Sequence, residues 1–85
     1  MDVDSKFVVY VLRSLRDGKR YIGMTENIQR RLNEHNTGKV CSTKSRVPFV
    51  LLHHEEFKTR REAHRREEYF KTAVGRKYLD RCEIK

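Results

Sequence analysis

Three apolar runs and two amphipathic stretches divide the chain. Residues 7–13, FVVYVLR, are β-branched and aromatic and apolar on both faces, the pattern of a central strand. Arg16-Asp17-Gly18-Lys19 follows, with the Asp-Gly pair of a hairpin, and RYIG (20–23) is the return strand. Side chains alternate along a strand, so an even-length loop sets Tyr10 and Tyr21 on one face of the sheet. Gly23 permits a sharp exit, Thr25 is the expected helix N-cap, and Glu26 suits the first turn. The helix runs to about Asn36, with Gly38 as its stop. Ile28 and Leu32 form its buried stripe, and Arg31 and His35 stand one turn apart on the shoulder of that stripe.

A basic loop, GKVCSTKSRVP, leads to a third strand, FVLLHHEEF (49–57), in which His53 and His54 point opposite ways. Thr59 and Glu62 have capping-box spacing and open a second helix from about Arg60 to Thr72. The tail is expected to hold a short helical turn around Tyr78 and Leu79. The order β-β-α-β-α predicts a small α+β fold, a three-stranded, mostly antiparallel sheet flanked by helices. Residues 1–85 read as one domain with its core at about 7–74.

Composition sharpens this picture. Charged residues are 38% of the chain against 36% hydrophobic, but the apolar positions are clustered, so the pattern is a folded domain with a charged surface. Twenty lysines and arginines against 12 acids leave a formal charge of +8 on 85 residues, which favours a polyanion, nucleic acid first. A membrane surface fits less well, because no helix carries bulky exposed apolar residues. No run approaches the ~20 apolar residues of a membrane span, and the start, MDVDSK, is acidic rather than signal-like. Cys41 and Cys82 form no zinc-type spacing and read as free thiols in a reducing cytoplasm.

The chemistry centres on a misplaced carboxylate. Ala63, Phe70 and Val74 fall at i, i+7 and i+11 of the second helix, an apolar stripe, and Glu67 lies inside it. An unpaired buried carboxylate is costly. Two explanations serve: a glutamate at the stripe's margin bonded to an arginine, or one holding a hard divalent ion such as Mg²⁺, which often takes only one or two protein carboxylates. Tyr10 and Tyr21 are also explained as strand packing, Arg31 as a solvated helix residue, and His35 as a favourable charge at a helix end. As a set they match the needs of phosphodiester cleavage: a base for water and cations for the crowded negative charge. A phenol, with a pKa of about 10, needs help as a base; a metal or Arg⁺ provides it. His35 can relay a proton, and Arg31 offers a planar fork to phosphate oxygens. Lys39, Lys44 and Arg46 in the loop, with Arg30 on the first helix, are candidates for a phosphate track, or are simply mobile and solvated.

VVY (8–10), YIG (21–23), Thr25, Arg31, His35 and EAHRREEYFK (62–71) together resemble the GIY-YIG nuclease superfamily, in its small single-domain bacterial form. The similarity covers residues 7–71. Family members include homing and restriction endonucleases, the incision domain of nucleotide-excision repair and structure-specific resolvases. The resemblance implies a Mg²⁺- or Mn²⁺-dependent endonuclease acting on DNA, with a place in repair or recombination. It implies that Glu67 holds the metal, Tyr10 is the general base, and Tyr21 orients water or phosphate. Arg31 steadies the transition state and His35 assists. Val8-Val9-Tyr10 lacks the family's glycine, no asparagine follows Glu67, and Met24 stands where repair-type members have lysine. With no separate DNA-reading part, sequence preference is expected to be weak. The alternative is a non-catalytic nucleic-acid-binding module or an accessory subunit of the same fold.

Overall fold

The structure, a computed structural model, describes residues 6–83; the acidic start at 1–5 lies outside them. Three antiparallel strands, β1 (Phe7–Ser14), β2 (Arg20–Thr25) and β3 (Phe49–Phe57), form one sheet in the order β2-β1-β3. The run FVVYVLR is therefore the central strand. Helix α1 (Ile28–Asn36) follows the hairpin, while α2 (Arg60–Phe70) and α3 (Ala73–Glu83) follow β3.

Both faces of β1 are covered, which explains why its apolar run does not alternate. Val9 and Val11 pack with Ala63, Phe70 and Leu79, so α2 and α3 back one face. Tyr10 and Leu12 pack with Phe49, and with Tyr21, Ile28 and Leu32, so α1 covers the other. Each large side chain buried this way stabilises the fold by about 1.5–3 kcal/mol.

The Asp-Gly hairpin forms as expected. Gly18 takes φ 74° at its tip, where L side chains are strained, and Asp17 Oδ1 accepts from the Lys19 N–H at 2.8 Å. Strand β3 is irregular: Val11 faces His53 and Leu12 faces Leu51, which leaves Leu52 as the extra residue of a bulge. His53 accordingly joins the Val11 face, edge-on to Phe70, and His54 sits opposite Tyr10.

Several local expectations change. Strand β2 continues to Thr25, and Asn27 rather than Thr25 caps α1: its Oδ1 accepts from Arg30 N–H at 3.0 Å, while Thr25 Oγ1 accepts from Asn27 N–H at 3.2 Å. Thr59 does cap α2, accepting from Glu62 N–H at 3.2 Å. Helix α2 stops at Phe70, and Thr72 Oγ1 accepts from Gly75 N–H at 3.1 Å to start α3. The tail is thus an eleven-residue helix, not a single turn, and its Leu79 belongs to the core. The break also rotates Val74 out of the expected stripe; it is 64% exposed. Gly75 lets the helices meet, since a Cβ there would lie 1.9 Å from the Tyr69 carbonyl oxygen.

Candidate active site

The α1 face of the sheet gathers four of the predicted residues. Tyr10 faces Gly23 across the β1–β2 ladder and Leu12 faces Tyr21, so both phenols stand on one side, ring centroids 6.3 Å apart. A Cβ on Gly23 would come within 2.5 Å of the Tyr10 hydroxyl oxygen and 2.7 Å of Cζ. The phenol lies directly over that glycine. Gly23 thus serves as the seat of Tyr10, not as the sharp exit its sequence position predicts, and its φ is not in the left-handed region.

Helix α1 brings the other two. Ile28 and Leu32 pack on the core, which turns Arg31 and His35 towards Tyr10. The Tyr10 hydroxyl lies 3.1 Å from His35 Nε2 and accepts a long 3.4 Å bond from Arg31 Nε. His35 is fully buried, edge-on to Tyr21 at 4.9 Å and to Phe49 at 5.7 Å, so its place is an aromatic box and not the solvated end of the helix. Glu34, unremarked in the sequence, accepts from Arg31 Nη1 at 3.1 Å and orients the guanidinium. Asn36 ties the same helix to β3, donating to the Phe49 carbonyl at 3.1 Å and accepting from its N–H at 2.6 Å.

Burial pushes the Tyr10 pKa up, against the opposing bond from Arg31; the neighbouring Tyr21 and Glu67 add to the rise. Burial, and then the charge of Arg31, pushes His35 below its ordinary value, which keeps the imidazole neutral and able to accept a proton. The bond to Tyr10, outweighing partial burial, and the bond to Glu34 hold Arg31 firmly cationic.

Glu67 arrives from α2, the helix that backs the opposite face, yet its charge is felt at Tyr10. Its side chain is 16% exposed, and it accepts from Lys71 Nζ at 3.3 Å, with His64 Nδ1 at 3.9 Å. The expected arginine partner is therefore a lysine one turn on. Arg60 and Lys71 share the helical shoulder of Glu67 with His64, leaving a lone acid among basic side chains. Among the described residues no three His, Cys, Asp or Glu side chains cluster to hold a metal. A single carboxylate suits Mg²⁺ or Mn²⁺, which keep waters and take substrate oxygens, and does not suit zinc.

The proposed phosphate track divides. Lys39 and Lys44 are exposed on the loop after α1, and Arg30 is exposed beside Glu34 at 3.8 Å. Arg46 is otherwise engaged: its Nε donates to Asp17 at 2.9 Å, Nη2 to the carbonyls of Lys19 and Arg20, and its guanidinium lies over Phe49. It braces the loop against the hairpin.

Cys41 and Cys82 are free, and among the described residues no helix is long and apolar enough to cross a membrane.

Comparison with known proteins shows the family and the fold. The model of the GIY-YIG catalytic domain matches residues 6–79. A UPF0213 protein of Bacillus licheniformis is 45% identical over 82 residues, covering 95% of this chain and 81% of the relative. One from Streptococcus agalactiae is 47% identical over 64 residues, 74% of this chain and 72% of its own. The solution NMR structure of a UPF0213 protein from Bacillus halodurans superposes with a TM-score of 0.53 at 32% identity, covering 87% of this chain and 81% of that one. With the fold, the two phenols and the helical Arg-His pair in place, the chain belongs to the GIY-YIG catalytic domain family, a nuclease-type family, together with the small UPF0213 proteins.

Proposed function

We propose that this protein is a divalent-metal-dependent endonuclease that hydrolyses phosphodiester bonds in DNA with little sequence preference. The observation that carries this reading is the Tyr10 hydroxyl, seated on Gly23 between His35 Nε2 at 3.1 Å and Arg31 Nε at 3.4 Å. Burial makes spontaneous ionisation of this phenol harder, so a base must take its proton as it acts. Neutral His35 is that base. Tyr10 passes its proton to Nε2 and removes one from the attacking water. Tyr21, beside it on the same face, orients that water or the phosphate. Arg31, held cationic, places its guanidinium on the phosphate oxygens as negative charge builds. Glu67 is the residue that would hold Mg²⁺ or Mn²⁺, and the ion would supply Lewis acidity at the phosphate when bound. The free cations Lys39 and Lys44, with Arg30, contact flanking phosphates and give affinity without base readout.

The test is nicking of supercoiled plasmid with Mg²⁺ and with EDTA, by the wild-type chain and by Glu67→Ala and Tyr10→Phe. Metal-dependent nicking abolished in both variants is the expected result. Salt-sensitive binding with no cleavage, unchanged by Glu67→Ala, would instead identify a binding module.

A further inference from the structure

Thr43 lies in the loop between α1 and β3, where nearly every neighbour is exposed, yet it is fully buried. Among the described residues it shares complete burial of a polar side chain with only Ser14 and His35. Ser14 is explained by the hairpin: its Oγ donates to the Arg46 carbonyl at 2.6 Å and accepts from the N–H groups of Arg16 and Asp17. Thr43 opens the 3₁₀ turn Lys44–Arg46, a position where threonine usually caps with its hydroxyl, but here it makes no such cap. The hydroxyl turns inward to His35 Nδ1 at 2.7 Å. The bond is short and buried.

The protons along this row are determined from its ends. The Tyr10 oxygen already accepts from Arg31 Nε, and its own proton has one acceptor among the described residues, His35 Nε2. Nε2 is then unprotonated, so a neutral ring carries its hydrogen on Nδ1 and donates it to Thr43 Oγ1. Thr43 passes its own hydrogen to the Val40 carbonyl at 3.4 Å. Every group is satisfied. In the opposite direction, Nε2–H would point at Tyr10 and leave the phenolic hydrogen without a partner.

We infer that Thr43 is a positioning residue that fixes His35 in the Nδ1–H tautomer, leaving Nε2 as the acceptor for the Tyr10 proton. The inference rests on the cleavage reading for its consequence, but the tautomer itself does not. Removal of the Thr43 hydroxyl leaves a buried imidazole N–H without an acceptor, and the ring relieves this by moving its hydrogen to Nε2. Tyr10 then faces a donor and has nowhere to send its proton.

The experiment is a long-range ¹H–¹⁵N spectrum of the imidazoles of the full chain at neutral pH. His35 is assigned by elimination with His53→Gln, His54→Gln and His64→Gln. The expected wild-type spectrum shows a protonated Nδ1 and an acceptor Nε2. Thr43→Val shifts the ring towards the Nε2–H form, and Thr43→Ser retains the wild-type pattern. In plasmid cleavage, Thr43→Val loses about 10- to 100-fold in kcat with KM for DNA unchanged, and serine restores it. An Nε2–H ring in the wild-type protein overturns the inference, and needs no variant to fold. So does a Thr43→Val spectrum identical to wild type. A Thr43-dependent Nδ1–H ring in a protein that cuts no DNA supports the positioning role and overturns the nuclease reading.

Discussion

The two faces of the sheet share one strand and are built on different principles. On the Val9–Val11 side, Ala63, Phe70 and Leu79 close an apolar core. The ion pair of Arg66 and Glu55 there is self-contained: Arg66 donates to Glu55 at 2.8 and 3.2 Å, lies over Tyr69, Phe70 and Tyr78, and Glu55 also meets His53 at 2.8 Å. On the Tyr10 side, a fully buried histidine and a buried phenol bond to each other, with an arginine whose guanidinium stays partly exposed. On the first side Arg66 and Glu55 tie α2 to β3. On the other, a phenol and an imidazole lie buried side by side beneath a partly exposed guanidinium, a grouping of perturbed side chains that makes this side the candidate site.

Substitutions on the two sides should therefore separate catalysis from stability. Tyr10→Phe should cut the single-turnover cleavage rate by about 10²- to 10⁴-fold while the chain still unfolds cooperatively, losing only about 1–3 kcal/mol for the His35 nitrogen left without its partner. Phe70→Ala on the other side should do the reverse: about 3–5 kcal/mol lost in urea unfolding, with cleavage per folded molecule retained. A large rate loss from Phe70→Ala at full folding would erase the contrast. Gly23→Ala lies between these, because its methyl must displace the Tyr10 ring. It should cost about 1–3 kcal/mol of stability and reduce cleavage far more than that loss of folded protein explains.

The smallest effect is in pH. His35 is pushed below its ordinary 6.5 by burial and by Arg31, so the unfolded chain takes up the proton first. Stability should be complete above pH 6.5 and decline as pH falls through the lower folded value. Burial works to raise Glu55, but its bonds to Arg66 and His53 win and hold it below its ordinary 4.5. Its contribution is present above pH 4.5 and lost below, as pH falls through its folded value. Urea midpoints measured from pH 8 to pH 3 should show both declines, with Glu55→Gln removing only the more acidic one.

How much of this was legible in the sequence follows the range of each contact. The strands, the hairpin and the Thr59 cap depend on neighbours in the chain, and alternation alone set Tyr10 beside Tyr21. The Arg31–His35 pairing follows from one helical turn. Thr25 lost its cap to Asn27 because two adjacent candidates differ only in where the strand ends, and side-chain oxygens at both positions bond locally. Val74 failed because periodicity was carried across a helix break that Thr72 creates. Thr43, Asn36 and Arg46 act across 8, 13 and 29 residues of chain, and no local pattern marks them. The role of Gly23 needed the strand register, which places a tyrosine ring on a glycine.

Tyr10 stands on the face that α1 covers and Glu67 on α2, the helix that backs the other face, and the cleavage reading requires them to serve one step. A double-mutant cycle measures this directly, with single-turnover DNA cleavage in Mg²⁺ by wild type, Tyr10→Phe, Glu67→Ala and the double variant. Residues acting as a unit are not additive, so the double variant should lose no more than the worse single one. Losses that multiply, or a Glu67→Ala variant that cuts at the wild-type rate, would contradict a shared site.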